Sequence, residues 1–387
     1  MSDQITRLKV LTSGIFSLIL MLGVARFAYT PMLPLMQQQA GLSLAEGGWL
    51  ASINYMGYLC GALIASFLNN MILKDQLYRI GLILALLTTA GMGLTDNFWY
   101  WSILRFFAGL SSAAGLILGS GLIMNWLIRH EYKSELGIHF SGLGLGIVFC
   151  TLAIEFMSDY FDWSQQWLLL SFVSLLLLIP AWVWLPHPDN SNITHSGHEM
   201  TDKPPGPQFM RLFMLAYFCA GVGYVINATF IVAIVEDLPG LEGKGNWIFI
   251  ILGLAAAPAC ILWDLIARRF GTFNALISAC LLQTLGILLP VIESSLTIMI
   301  ISAILFGGTF IGIVSLVLTM AGRYYPTRPA KMMGKITIFY GIAQIISPAI
   351  IGILAQNSGN YNSGLYLAAI IMLVGSILMW KLKQLQQ

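Results

Sequence analysis

The chain has 387 residues, of which 58% are hydrophobic and only 9% are charged, with a formal net charge of +2 at pH 7. About a quarter of the residues of a soluble domain are charged, so this composition excludes a soluble protein of ordinary make-up. The apolar runs are too long and too uniform to be the strands of a membrane barrel, which predicts an all-α membrane protein.

Twelve apolar runs are long enough to cross a bilayer, since a helical span requires about 20 residues. The first run is much longer than the apolar part of a secretion signal, so we expect it to remain attached as an anchor. The predicted transmembrane helices cover residues 10–36, 44–68, 77–94, 98–127, 135–157, 165–185, 209–235, 246–266, 272–291, 295–322, 332–355 and 362–382.

Lysine and arginine residues are concentrated on alternate connections between these spans, and the opposite connections hold only Lys244. Because basic loops stay on the cytoplasmic side, this asymmetry predicts that both termini are cytoplasmic. The segment 186–208 is rich in proline and polar residues and predicts a cytoplasmic linker. It divides the chain into two predicted six-helix bundles, residues 1–185 and 209–387. A weak repeat relates these bundles, with Thr30 matching Thr229.

Two arginines fall inside predicted spans. Arg26 is in the first span and Arg105 in the fourth, and their depths place both at one level. An arginine at the centre of a membrane helix costs about 2.5–3.5 kcal/mol, so its presence indicates a function. A guanidinium fits carboxylate and phosphate groups, which predicts an anionic substrate. The alternative is a structural bridge from Arg26 to backbone carbonyls or to Glu155.

Several polar residues within the spans are candidates for hydrogen bonds to a substrate, the alternative for each being a bond between helices. Pro31 and Pro34 are expected to kink the first span and free backbone carbonyls near two of these residues. The candidates are Tyr29, Thr30, Asn54, Tyr58, Tyr224, Asn227, Thr229, Tyr340 and Gln344.

Two protonatable residues are candidates for coupling transport to a proton gradient. Glu155 lies near the end of the fifth span, and a pair with Arg105 would break when the carboxylate takes up a proton. His139 lies near the start of the same span, where the alternative is a solvated histidine at a helix end.

Several stretches resemble the major facilitator superfamily. Residues 104–109 (LRFFAG) resemble its motif in the fourth span, and residues 263–271 (WDLIARRFG) resemble its cytoplasmic gate motif. Residues 26–34 (RFAYTPMLP) are similar to the signature of the YbfB/YjiJ-like branch. The first-half counterpart of the gate motif departs from the pattern, because Asn69 and Asn70 stand where an aspartate is expected.

The resemblance implies the major facilitator fold, with a substrate site between two six-helix bundles and alternating access across a bacterial inner membrane. It also implies a gate containing Asp264, Arg268 and Arg269, and a functional monomer. No substrate follows from it, since that branch is largely uncharacterised.

From these observations we predict a secondary active transporter of a small anionic organic solute, coupled to protons. The alternative is an efflux pump for amphipathic drugs or metabolites, for which the many Met, Phe and Trp residues offer an adaptable lining. No nucleophile with a base, metal-ligand spacing or phosphate-binding loop occurs in the sequence. We therefore expect neither an enzyme nor a cofactor, metal or nucleic-acid partner.

Overall fold

A computed structural model describes residues 2–133, 136–188, 191, 193–236, 238–358 and 361–386. Within these residues the chain forms twelve helices, two of which contain a π-helical segment. They are α1 (Ser2–Leu18, π-helical Ile19–Phe27 and Tyr29–Ala40), α2 (Leu44–Phe67), α3 (Met71–Met92), α4 (Phe98–Ala113, π-helical Ala114–Gly119 and Ser120–Arg129), α5 (Gly137–Met157), α6 (Trp163–Val183), α7 (Pro207–Glu236), α8 (Gly245–Phe270), α9 (Thr272–Ile292), α10 (Leu296–Tyr324), α11 (Pro329–Ser358) and α12 (Asn362–Gln386).

Polar side chains fix the first residue of several helices by accepting hydrogen bonds from otherwise unpaired backbone amides. Ser43 and Glu46 form a reciprocal capping box at the start of α2. Asn70 caps α3, with its side-chain oxygen 2.8 Å from the amide nitrogen of Ile72. The asparagine that departs from the gate motif therefore has a structural role.

Ten of the described helices are long and apolar enough to cross a membrane. The remaining two are α3 and α11. In α3 the first turns contain Lys74, Asp75 and Arg79, which lower its mean hydropathy. The predicted third span began at residue 77, after two of these charged residues, whereas the helix begins at Met71.

The chain forms two compact units. The first comprises Met1–Lys203 with Thr319–Lys335, and the second comprises Pro204–Leu318 with Ile336–Gln387. The two six-helix bundles, 1–185 and 209–387, and the linker 186–208 remain predictions from the sequence.

The segment 319–335 packs on the helices of the first unit. Asn125, near the end of α4, donates a hydrogen bond to the carbonyl of Pro326 at 3.2 Å. Lys331 donates to the side-chain oxygen of Asn69 at 2.9 Å. Gly121 lies so close to Ala330 that a Cβ at Gly121 would be 2.7 Å from the Ala330 amide nitrogen. The absence of a side chain at this position allows the close contact.

The described part of the segment between α6 and α7 also packs against the first unit. The His195 amide donates to the carbonyl of Arg129 at 2.7 Å, and the Lys203 amide donates to that of Tyr324 at 2.9 Å. Asp202 accepts a hydrogen bond from the Thr327 hydroxyl at 2.8 Å. This segment therefore has defined contacts at the end of the bundle where α4 ends.

Candidate substrate site

Arg26 lies on the π-helical segment of α1. In this segment the Ala28 amide bonds to the carbonyl of Gly23, five residues earlier, at 2.9 Å. Gly23 faces Gly146 of α5, and a Cβ at Gly23 would lie 2.6 Å from the Gly146 Cα. Such π-helical insertions are frequent at functional sites because they rotate the following side chains relative to a regular helix.

The Arg26 guanidinium packs against two tyrosines of α2. Its central carbon is 4.8 Å from the ring centroid of Tyr55 and 4.8 Å from that of Tyr58. Arg26 is only 7% exposed. Aromatic faces attract a cation, most strongly where water is excluded, so the two rings help to stabilise the buried charge.

Arg105 lies on α4 and contacts α1 and α2. Its guanidinium donates to the carbonyl of Ala25 at 3.1 Å and approaches that of Leu50 at 3.5 Å. The guanidinium carbon is 4.3 Å from the ring centroid of Tyr29. All these groups are neutral, and no described ion pair joins Arg105 to Glu155. Ala25 directly precedes Arg26, so the Arg105 guanidinium is bonded to the backbone next to Arg26.

The other predicted residues of the first unit surround these arginines. The Asn54 amide donates to the carbonyl of Arg105 at 2.9 Å, which links α2 to α4. The Tyr29 hydroxyl donates to the carbonyl of Gly47 at 2.9 Å. Thr30 follows Tyr29 and is half-buried. The structure therefore brings Tyr29, Asn54, Tyr58 and both arginines together, while Asn54 and Tyr29 already make interhelical bonds.

His139 is fully buried, so the alternative of a solvated histidine at a helix end is wrong. Its Nε2 lies 2.8 Å from the Ser120 hydroxyl of α4, and its Nδ1 has no hydrogen-bond partner among the described residues. The ring fills the space beside Gly14 of α1, which has no side chain. Glu155 is half-buried in the last turns of α5.

In the second unit, Tyr224 of α7 and Tyr340 of α11 belong to one aromatic cluster, with ring centroids 5.7 Å apart. Asn227 is completely buried, and neither atom of its amide has a hydrogen-bond partner in the described part of the chain. The side-chain oxygen of Gln344 also has no hydrogen-bond partner among the described residues. The side chain of Thr229 lies outside the described residues.

The predicted gate residues lie at the end of α8. Asp264 is buried, and Arg268 and Arg269 are exposed in the last turn of the helix. The Arg269 guanidinium lies over the ring of Phe270, 5.4 Å from its centroid. Arginines in this position interact favourably with the carbonyl end of the helix.

One charged cluster was missed by the sequence analysis. Arg79 and Asp75 form a buried ion pair on α3, with N and O atoms 3.0 Å apart. The Arg79 guanidinium also donates to the carbonyls of Trp182 at 2.7 Å and Leu185 at 3.0 Å. His187 lies 2.6 Å from the Asp75 carboxylate. The cluster ties α3 to the end of α6 and to the segment that follows.

The described helices have a fold of the major facilitator type. The structure of the human organic anion transporter MFSD10 (TETRAN) aligns with a TM-score of 0.73, covering 96% of this chain and 99% of that one at 14% identity. The chain belongs to the family described as "Uncharacterised MFS-type transporter YbfB", whose model matches residues 18–380. The expected resemblance to this family is therefore confirmed. The prediction that the protein is a transporter and not an enzyme is confirmed as well.

Two curated relatives agree with this assignment. The uncharacterised MFS-type transporter YceJ of Bacillus subtilis (strain 168) is 24% identical over 275 residues, which are 69% of each chain. The probable sulfoacetate transporter SauU of Cupriavidus necator is 21% identical over 378 residues, covering 89% of this chain and 86% of its own.

Proposed function

We propose that this protein is a secondary active transporter of a small organic anion, coupled to protons, that works by alternating access in the bacterial inner membrane. The distribution of lysine and arginine between connections supports cytoplasmic termini. The site for the anion is built on Arg26, with Arg105, Tyr29, Thr30, Asn54 and Tyr58 around it. In the second unit, the proposed substrate-binding residues are Tyr224, Asn227, Thr229, Tyr340 and Gln344.

The observation that carries the proposal is that two buried arginines meet at one stretch of α1, because the Arg105 guanidinium bonds to the carbonyl of Ala25, the residue before Arg26. Arg105 is 3% exposed, and its guanidinium contacts, among the described residues, the neutral carbonyls of Ala25 and Leu50 and the Tyr29 ring. Like charges held together away from water destabilise a protein, and a bound anion relieves that repulsion. A carboxylate, sulfonate or phosphate on the substrate fits the guanidinium geometry.

Two further observations support an anionic solute with polar groups. SauU is named as a transporter of sulfoacetate, and MFSD10 as a transporter of organic anions. In the second unit, the buried Asn227 amide lacks a partner among the described residues, and leaving it unsatisfied costs about 1–3 kcal/mol. A hydrogen bond to a substrate would offset that cost.

For this proposal we expect ligand-dependent stabilisation that requires Arg26. Thermal unfolding of the purified protein should shift upward with small carboxylates or sulfonates, by the equivalent of about 2.7 kcal/mol at a hundredfold excess over the dissociation constant. Arg26→Gln should lose the shift, and Arg26→Lys should retain part of it because the charge remains.

The matched control is Arg211→Gln, which removes an exposed arginine from the start of α7. It should respond to anions as the wild type does. Equal stabilisation of wild type and Arg26→Gln by amphipathic cations, with no response to anions, would instead support the efflux alternative and refute the anion site.

Of the two proton-coupling candidates, His139 has the stronger support, because it is completely buried beside Gly14 and its Nε2 lies against the Ser120 hydroxyl. His139→Gln is expected to abolish accumulation driven by a pH gradient in proteoliposomes while substrate exchange without a gradient continues. Glu155→Gln serves as the comparison. If accumulation by His139→Gln is normal and Glu155→Gln is inactive, Glu155 is the coupling residue.

A further inference from the structure

A cavity of about 580 Å³ lies within the first unit, at the end of the bundle where α4 ends. Its wall is formed by the last turns of α4, the beginning of α1 and the segment after α6. The residues that line it include Arg129, His130, His187, His195, Ser191 and Thr194. Ligand cavities for small molecules have volumes of about 300–1,000 Å³, so this one is large enough for a metabolite.

The cavity is distinct from the proposed substrate site. None of its lining residues belongs to the groups around Arg26 and Arg105. Its walls carry one arginine and three histidines, and its described lining contains no aspartate or glutamate. The chemistry of the lining therefore favours an anion.

The basic groups are held in place by local contacts. Arg129 donates to the Ser191 hydroxyl at 2.6 Å. The His130 ring stacks on Trp126 at a centroid distance of 4.1 Å, and its Nδ1 is 2.9 Å from the Trp126 carbonyl. Because a carbonyl only accepts hydrogen bonds, this contact assigns a proton to Nδ1, and Nε2 then donates to an anion only when the ring is doubly protonated. His195 faces His130, with ring centroids 5.5 Å apart.

Among the residues that the structure describes, two carboxylates lie near the cavity and are engaged elsewhere. Asp75 contacts both His187 and Arg79. Glu131 accepts hydrogen bonds from Ser196 and Thr194 and contacts His198. The hydrogen bond from the Ser196 hydroxyl is the main contact that lowers the pKa of Glu131. Both carboxylates therefore bind groups of the protein itself.

A metal ion is a poor occupant for this site. The described residues contain no group of three or more His, Cys, Asp or Glu side chains arranged to hold a metal. Arg129 also adds a permanent positive charge to the wall. A doubly charged anion with several acceptor oxygens uses the same residues well, because guanidinium, hydroxyl and protonated imidazole groups all donate to it.

We propose that this cavity binds a phosphate-bearing anion through Arg129, His130 and His195. The phosphate belongs to a soluble metabolite or to the headgroup of an anionic lipid, since both present the same chemistry. Bound there, the anion joins the end of α4 to the segment after α6. Asn125 also lines the cavity and bonds to Pro326, so the site is connected to the segment 319–335.

The test uses the whole chain in a neutral detergent. Pyrophosphate is the soluble probe, and chloride at equal ionic strength is the reference. Calorimetry measures the affinity, and thermal unfolding measures the stabilisation. We expect pyrophosphate to stabilise the wild type and Arg129→Gln to weaken its binding about tenfold or more. His195→Gln should weaken it too, and it replaces Arg129→Gln if that variant does not fold.

Two controls separate this site from others. The loss of pyrophosphate binding caused by Arg129→Gln should also appear in an Arg26→Gln background, which distinguishes this site from the proposed transport site. In nanodiscs, stabilisation by phosphatidylglycerol that requires Arg129 would identify the headgroup as the source of the phosphate. The proposal is overturned if neither pyrophosphate nor phosphatidylglycerol gives a response that depends on Arg129 or His195.

Discussion

Replacement of Gly57 by alanine is expected to destabilise the first unit by about 3 kcal/mol, because the helix contact leaves no room for a methyl group. A Cβ at Gly57 would overlap the carbonyl oxygen of Phe106 and lie 3.2 Å from the amide nitrogen of Leu110. On the opposite helix, a Cβ at Gly109 would lie 2.8 Å from the Tyr58 amide nitrogen. The obstacles are backbone atoms, so α2 and α4 must separate to admit the methyl group.

Gly48→Ala is the matched control in the same helix. Gly48 is exposed, and a Cβ there would have no neighbour within 4 Å. Alanine is the better helix former, so this change should be neutral or stabilise the protein by up to about 1 kcal/mol. Thermal unfolding of both variants in one detergent makes the comparison, and similar midpoints for Gly57→Ala and Gly48→Ala would contradict the close α2–α4 contact.

Arg79→Met is expected to cost about 3–5 kcal/mol, because it leaves the Asp75 carboxylate buried without its main partner. Both side chains of the pair are almost completely buried, at 7% and 4% exposure. The change also removes the two hydrogen bonds from Arg79 to the carbonyls of Trp182 and Leu185 at the end of α6. Unfolding of the variant by heat or denaturant measures the loss.

A double variant identifies the cause of that loss. Replacing Asp75 by leucine in the Arg79→Met background removes the unpaired carboxylate, and a buried ion pair can often be replaced by apolar residues at little cost. We therefore expect the double variant to regain part of the stability. Arg211→Met, at an exposed position, should have almost no effect. If the double variant is less stable than Arg79→Met, the buried charge is not the cause.

The helices were largely predictable because their signals are local. The predicted second span, 44–68, corresponds to Leu44–Phe67, whose first residue is fixed by the adjacent Ser43 and Glu46 capping box. The start of α3 was missed because Lys74 and Asp75 suggested a polar connection. Their burial depends on partners such as His187, which is 112 residues from Asp75 in the sequence, and no local pattern reveals such a pair.

The candidate site was predictable in its residues and not in its detailed geometry. The depths of Arg26 and Arg105 suggested one level in the membrane, and the Arg105 guanidinium bonds to the carbonyl of Ala25, the residue before Arg26. The π-helical segment that carries Arg26 has no compositional signature. His139 seemed to lie at a helix end, yet it is buried because Gly14 on α1 leaves space for its ring. The sequence signal for this burial was Gly14, a glycine that leaves room for a polar side chain on the facing helix.

Substrate exchange in proteoliposomes tests the central claim most directly. Vesicles loaded with an unlabelled small carboxylate or sulfonate should take up the labelled compound through the wild type, and Arg26→Gln should reduce the initial rate at least about tenfold, as expected for the loss of one charge-assisted contact. Arg211→Gln should transport normally. Exchange of the anion at the same rate by wild type and Arg26→Gln would contradict a substrate site built on Arg26.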